Sequence, residues 1–557
     1  GDPSTPNGPS IKGAKRLPID RYNGFTLLGL DEFRSGGTTP LIDPDTRLPV
    51  QDWEKQTGLK RIDYFATIPS LPISYEAALP ILEAMGGPNV PTGWQGGLPL
   101  AYHIGPGPAE VSFSIQMDYA IRPIWNVIAT IKGTAEPDRW VLIGNHRDAW
   151  TYGAVDPSSG TAATLEMCRA LGEAVKGGWK PRRTLVYASW DAEEYGLVGS
   201  TEWAEHHAQE LDTKAVMLLN VDSAVAGPDL DLDGVPSLRD LVLECAGAIT
   251  EPTTGKSMRD VWMRKQRSTW ATNAPIELDP SVWENGGTNH SEEPERPGSR
   301  FNPQLNPLGS GSDYTVFLDH LGVPAIDVGL KGRYGVYHSI YDNFYWMEKL
   351  CDPEFIRHVT AAKLYTLIAM RAAAAEIVPL RFVPYGEALR DQVDDLRRLV
   401  ERKARSAEPG ASKPPLKFEG LPALVRSVVA FQRQAAELDR ATLALARQEG
   451  LDSARLGPVN DALERVERAF MNSAGLPGRP WFKHTVYAPG LTTGYACWTF
   501  PGVRQGIIEN DAALFGSQLV ALVARIDAAT AAMRAATSTA QDLAAPARVG
   551  GGGQRQD

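Results

Sequence analysis

Thr184-Leu-Val-Tyr-Ala-Ser-Trp-Asp-Ala-Glu-Glu-Tyr-Gly196 is the stretch on which the fold of this chain turns. Its first seven residues are dominated by apolar and aromatic side chains, as in a strand buried on both faces. It then stops at two adjacent carboxylates, Glu193 and Glu194, followed by Gly196. Working outward, Trp140–Gly144, Ala215–Val221 and Ala325–Val328 read as strands of the same kind. Ser159–Gly172 and Gly199–Glu210 read as helices between them, and Asp313–His320 as one more. Strands alternating with helices predict an α/β fold: a mostly parallel sheet with helices on both faces, which holds ligands beyond the carboxyl ends of its strands.

With 557 residues the chain exceeds one hydrophobic core, and its composition changes twice. Residues 1–120 are rich in Pro and Gly, with a short apolar run at Phe25–Leu28, a helix predicted over Ser74–Gly86 and a strand over Val111–Met117. A second strand follows at Trp125–Ile131. The α/β pattern occupies 121–375, interrupted over 271–308 by an Asn/Gly/Glu/Pro-rich insertion. From 376 to 557 the pattern is helical: Glu387–Ala407, Pro422–Arg447, Asn460–Asn472 and Ala512–Ala535, with a Pro/Ser-rich link around Glu408–Pro415. Helices of this length predict a bundle suited to dimerisation.

A formal charge of −11, with no Lys/Arg block interleaved with aromatics, argues against nucleic acid as the partner. No run approaches 18 consecutive apolar residues, so no membrane span is expected. The four cysteines, Cys168, Cys245, Cys351 and Cys497, lack metal-ligand spacing. The chain begins at Gly1 rather than Met and no targeting segment follows, which suggests a processed or truncated product.

Five segments offer chemistry at the predicted strand ends: Gly144-Asn-His-Arg-Asp148, Gly153-Ala-Val-Asp156, the Glu193-Glu194 pair, Leu219-Asn-Val-Asp222 and Val336-Tyr-His-Ser-Ile340. Taken singly, His146 reads as a loop residue, Asp156 as a helix cap and the glutamates as solvated. Together, three successive strand ends deliver an acid or a histidine to one sheet edge. Two imidazoles (His146, His338) and three carboxylates (Asp156, Asp222 and one of the Glu193-Glu194 pair) suit a pair of Zn²⁺ ions, and a shared Asp could bridge them. One member of the Glu193-Glu194 pair is then free to move a proton while its neighbour binds metal.

Asp191-Ala-Glu-Glu-Tyr-Gly-Leu-Val-Gly-Ser-Thr-Glu-Trp-Ala-Glu205 resembles the glutamate carboxypeptidase II and transferrin receptor family of zinc exopeptidases (peptidase family M28). His146-Arg-Asp148, Asp156-Pro157 and Tyr337-His338 resemble it too. The likeness runs from about residue 60 to 545, with a short earlier stretch at Gly1–Pro6. It implies that His146, Asp156 and Asp222 serve one zinc, that Glu194 and His338 complete the other, and that Asp156 bridges. It further implies Glu193 as general base and acid, Tyr337 as a partner of the substrate carbonyl, Asp148 as the acid orienting His146, and a cis Asp156–Pro157 bond. A structural calcium is implied on Thr5, Glu202 and Glu205. So are a homodimer, a secreted, periplasmic or envelope location, and a protease-associated domain of which 1–120 is a part. The remainder of that domain would be a separate N-terminal chain or a removed segment.

The departures concern substrate. Where glutamate-specific members place arginines, this chain has Asp231, Asp327 and Gly329, and the lysine gripping a terminal glutamate becomes Gly494 beside Tyr495. Ser310, Gly311 and Asp313 fall in the loop lining that pocket. Acids in place of arginines repel an acidic ligand, so a neutral or basic peptide substrate is expected. Carboxypeptidase, aminopeptidase and small-amide hydrolase all stay open, with a non-enzymatic transferrin-receptor-like binding protein as the alternative class.

Overall fold

The computed structural model of the protein describes residues 73–116, 123–272, 302–332, 334–405, 421–448, 453–491 and 495–544. The chain divides into a small unit within residues 60–123 and a large unit from residue 124 onward. The small unit holds α1 (Tyr75–Ala84), begun by Ser74, whose hydroxyl accepts from the Ala77 N–H. The strand expected over Val111–Met117 does not form in its described part: residues 111–116 are irregular, with Val111 and Phe113 exposed. Alternating side chains make a strand only where a neighbour supplies a ladder and a face to bury. Among the described residues this unit contains no sheet, so the described fold includes no protease-associated domain.

The large unit is built on six strands: β1 (Val127–Ile131), β2 (Glu136–His146), β3 (Arg183–Trp190), β4 (Ala215–Asn220), β5 (Asp229–Gly234) and β6 (Ala325–Lys331). Their order is β1-β3-β2-β4-β6-β5. The inner strands β3, β2, β4 and β6 run parallel, and both edges are antiparallel. Flanking helices are α2 (Ser158–Lys176), α3 (Val198–His206), α4 (Ala208–Lys214), α5 (Arg239–Ala248), α6 (Met258–Thr272) and α7 (Ile356–Ala374). The inner strands match the expected runs because every residue of β3 and β4 is buried. The helix expected over Gly199–Glu210 is broken at His207, whereas the one expected over Asp313–His320 forms, with its last five residues, Val316–His320, π-helical.

From β2 the chain crosses to β3 on one side, then returns to lay β4 on the other. The order therefore reverses at β2, which opens a crevice at the carboxyl ends of β2, β3 and β4.

The helical part comprises α8 (Val383–Arg405), α9 (Leu421–Ala446), α10 (Gly457–Arg468), the short pair β7 (Tyr487–Pro489) and β8 (Cys497–Thr499), α11 (Pro501–Ile508) and α12 (Ala512–Ala544). By length and composition α12 could cross a membrane, which the absence of a long apolar run did not foresee. Its buried positions Phe515, Leu519, Leu522, Ile526, Met533 and Ala540 recur at helical spacing and form one face, as in the core helix of a bundle. Glu467 of α10 ties this part to the turn that follows β5. Its buried carboxylate receives Tyr385 Oη–H at 2.7 Å and Ser237 Oγ–H at 3.4 Å, and faces His484 Nε2 at 3.2 Å. Glu467→Ala strands these polar groups in the interior and is expected to destabilise the fold by about 3–5 kcal/mol, read in a denaturant titration.

Candidate metal centre

His146 closes β2 and is fully buried. Its Nδ1 lies 3.0 Å from the backbone carbonyl of Asp148. A carbonyl only accepts, so Nδ1 carries a proton and donates, and Nε2 points the other way. Nε2 faces Asp222 Oδ1 and Asp156 Oδ1, each at 3.2 Å, with Glu193 Oε2 at 4.0 Å. Nε2 can stand this close to carboxylate oxygens only with positive charge between them, from a proton or from a metal ion.

Asp156 shares itself between two histidines. Its Oδ1 faces His146, and its Oδ2 lies 3.0 Å from His338 Nε2, which is 3.4 Å from Glu194 Oε2. The ligand atoms form two groups, His146/Asp156/Asp222 and Asp156/Glu194/His338, each within 4.8 Å. His146, Glu193 and Glu194 form a third. All five sequence-predicted zinc ligands thus come together, with Asp156 common to the two main groups.

Local structure explains how each is held. The first turn of α2 presses against β4: a Cβ on Gly160 would lie 2.1 Å from the Asp222 carbonyl oxygen, so only glycine fits there. Asn145 spans the same gap, donating to the Val221 carbonyl at 2.8 Å and accepting from Thr161 Oγ–H at 2.8 Å. The Glu193-Glu194 turn is fixed from outside. The Asp148 carboxylate accepts the Glu193 and Glu194 N–H groups at 3.0 and 3.1 Å. Asp148 therefore serves both metal-facing elements, orienting His146 through its carbonyl more closely than through its carboxylate, which is 3.6 Å away. The Asp156–Pro157 bond is cis, as the family resemblance implies.

The electrostatics describe a site short of positive charge. Among the described residues, the ion pairs of Asp148, Asp156, Glu193, Glu194 and Asp222 are to histidine alone. Burial pushes the Glu193 carboxyl well above its usual range, and Asp222, Asp313 and Glu194 push it further. Burial and then Asp156 push Glu194 up to about 9. Burial alone would lower the His146 pKa, but Glu193 and Asp222 outweigh it and raise it strongly. Burial also acts to raise Asp156, but hydrogen bonds from His146 and His338 hold it well below the carboxylate range. Glu194 Oε1 is buried without a hydrogen-bond partner. Unsatisfied buried oxygens, a surplus of acids over cations, and mixed nitrogen and oxygen donors in two groups sharing one carboxylate all fit a pair of divalent zinc ions.

The other predicted residues are placed as follows. The Tyr337 ring stacks on His338 with centroids 3.6 Å apart, and burial followed by Tyr495 and Asp156 raises its phenol strongly. Tyr495 is raised by burial and then by Glu193 and Glu194, so both phenols border the cluster. Ser310 donates its N–H to the Tyr495 carbonyl at 3.1 Å, and Gly311 packs against the Tyr495 ring. Asp313 is fully buried rather than at a pocket surface, and burial raises it to about 7. Asp231 and Gly329 are cross-strand partners on β5 and β6, as are Asp233 and Asp327. Lys331 reaches this group, 3.2 Å from Asp231 and 3.9 Å from Asp233. Asn220 Nδ2 donates to Asp327 at 3.3 Å and connects the acids to β4. Glu202 and Glu205 stand on α3, where Glu205 accepts Trp481 Nε1–H at 2.6 Å, and neither belongs to a metal-binding group among the described residues. Thr5 and Gly494 lie outside the described residues.

Sequence reasoning missed Asp342, Asn145 and Lys331. Asn145 stands beside a flagged histidine and was within reach of the strand-end argument, whereas Asp342 lay in no pattern.

Comparison with known proteins agrees with this geometry. Residues 126–260 match the model described as Peptidase family M28, and residues 420–534 match the Transferrin receptor-like dimerisation domain. The "Probable glutamate carboxypeptidase LAMP1" of Arabidopsis thaliana is 34% identical over 508 residues, 91% of this chain and 60% of that protein. "Aminopeptidase NAALADL1" of Rattus norvegicus is 33% identical over 560 residues, 96% of this chain and 69% of that protein. Among solved structures, the aminopeptidase from Aneurinibacillus sp. strain AM-1 is 21% identical, covering 45% of this chain and 48% of that one with a TM-score of 0.30. The chain spans about 60% of the length of the first curated relatives it matches. A 33% identity that spans more than two thirds of a relative, together with the two domain matches, shows that the chain belongs to peptidase family M28, in the branch with a transferrin receptor-like dimerisation domain.

Proposed function

We propose that this protein is a co-catalytic di-zinc exopeptidase that hydrolyses the terminal bond of peptides. The carrying observation is Asp156, whose two oxygens face His146 and His338 and join two groups of zinc-suited donors. His146, Asp156 and Asp222 would hold one ion, and Asp156, Glu194 and His338 the other. Zinc bound there supplies a Lewis acid for the scissile carbonyl and lowers the pKa of a bound water. The chain's residues do the rest. Glu193, made basic by burial and neighbouring acids, takes a proton from water and returns it to the departing amine. Tyr337, with a phenol that stays protonated, donates a hydrogen bond to the developing oxyanion. The purified protein is expected to hold two zinc ions per chain and to lose peptide hydrolysis to a chelator, with recovery on adding zinc. A zinc-free protein with undiminished hydrolysis would overturn the assignment.

The acids around Lys331 favour a neutral or basic substrate. Asp231 and Asp233 face a single ammonium, and burial followed by Asp231 lifts Asp233 to about 6. The group can accept a free amino group or a cationic side chain, which favours aminopeptidase over glutamate-directed carboxypeptidase. With matched peptides blocked at either end, N-terminal blocking is expected to stop cleavage. Peptides offering a glutamate should be cleaved at least about tenfold more slowly than their lysine counterparts, because like charges oppose each other. Cleavage that survives N-terminal blocking but not C-terminal blocking would reverse the choice. Homodimerisation through residues 420–534, a calcium on Glu202 and Glu205, and a secreted or envelope location belong to the same proposal.

A further inference from the structure

Two zinc ligands of the proposed centre, Asp156 and His338, lie on loops far apart in sequence that are laced together over a short distance. Thr151 Oγ–H donates to the Ser339 carbonyl at 2.8 Å, and Ala154 N–H to the Asp342 carbonyl at 3.2 Å. The Asp342 carboxylate then receives the Val155 N–H at 2.8 Å on Oδ1 and the Asp156 N–H at 3.2 Å on Oδ2. Tyr334 completes the clamp, its hydroxyl donating to the same Oδ2 at 2.7 Å. Asp342 is 2% exposed, so no water replaces these bonds if the carboxylate is changed. His338 itself sits at φ 52, a left-handed conformation that a non-glycine residue keeps only when its surroundings hold it. Ser339 N–H to Val336 O at 3.2 Å and Asp342 N–H to Ser339 O at 3.0 Å supply that hold.

From this lacing we infer that Asp342 is a positioning residue for the metal centre, setting the distance between Asp156 and His338 and so controlling the ion they share with Glu194. The inference rests on the di-zinc reading above. The two ions depend on Asp342 unequally. His146 ends β2 and Asp222 follows β4, and those strands are hydrogen-bonded neighbours in the sheet. Two of that side's three donors therefore keep their places without Asp342, and only the shared Asp156 is exposed to its loss. The other side has no such frame: His338 is on a loop, held to the Asp156 loop by the Asp342 carboxylate with the Thr151–Ser339 and Ala154–Asp342 bonds beside it.

Asp342→Asn keeps the shape but turns one acceptor into an NH₂ group that faces a backbone N–H. Zinc bound per chain is to be measured against a graded chelator, together with kcat, KM and the melting temperature of the metal-free protein. One ion is expected to be lost at chelator strengths about 10–100-fold weaker than in the parent, the usual scale for partners of metal ligands. The other ion should hold, kcat should fall with KM little changed, and metal-free melting should shift little. Tyr334→Phe removes one bond of the clamp and should weaken the same ion by a smaller factor, which keeps the idea testable if Asp342→Asn does not fold. Parent protein with two ions and variants that lose both equally, or neither, would overturn the role of Asp342. Parent protein with no zinc would overturn the di-zinc reading instead.

Discussion

Glu193→Gln lowers peptide turnover by about 10²–10⁴-fold, the usual contribution of a positioned acid–base group, while both zinc ions stay bound. Glutamine matches the side chain in volume but cannot take or return a proton near neutral pH. The Glu193 side chain lies beside His146 and Glu194, and burial, with Asp222, Asp313 and Glu194, pushes its carboxyl well above the usual range. Its backbone is fixed by Asp148 and its turn by Gly196 at φ 108, so the substitution leaves the neighbouring ligand Glu194 where it was. Zinc analysis beside a turnover assay separates this outcome from simple metal loss. Full turnover in the glutamine variant would remove Glu193 from the mechanism.

Asp156→Ala has the larger effect on metal. It withdraws a donor from both zinc sites at once, leaving His146 with Asp222 on one side and His338 with Glu194 on the other. The expected result is fewer than two zinc ions retained after dialysis and a loss of activity beyond the about 10–100-fold typical of partners that only orient ligands. Elemental analysis of the dialysed variant reads the first, and a turnover assay at saturating zinc reads the second. A variant that keeps both ions would show that Asp156 is not shared.

The core of this fold was legible because physics marks it twice. β3 and β4 are buried on both faces and so are written in almost unbroken apolar residues, and the ligands follow directly where those runs stop. β5 escaped notice for the opposite reason. Its Asp-Leu-Asp-Leu-Asp-Gly sequence alternates acids with leucines, and only pairing with β6 shows that the leucines are its buried face. Asp342 was invisible for a deeper reason: a lone acid in a loop carries no periodicity, and its meaning lies in two N–H groups near residue 155. Lys331 was missed likewise, since its partners Asp231 and Asp233 are set beside it by strand register and not by spacing. The strand predicted at Val111–Met117 shows the converse error, where pattern alone was trusted without a partner edge.

The proposed zinc donors are contributed by the end of β2, the loop between β2 and α2, the turn after β3, the segment beyond β4 and a loop after β6. No short peptide from this chain contains a complete set, and the donors meet only after the slow, long-range pairing of parallel strands is finished. Metal capture is therefore a late event in the life of the chain, and it registers that folding has been completed correctly. A newly made chain, still threading its strands together, gives zinc no assembled donor set. Under the proposed function, hydrolytic power against other peptides would arrive only once the chain's own peptide bonds are sheltered in a finished sheet.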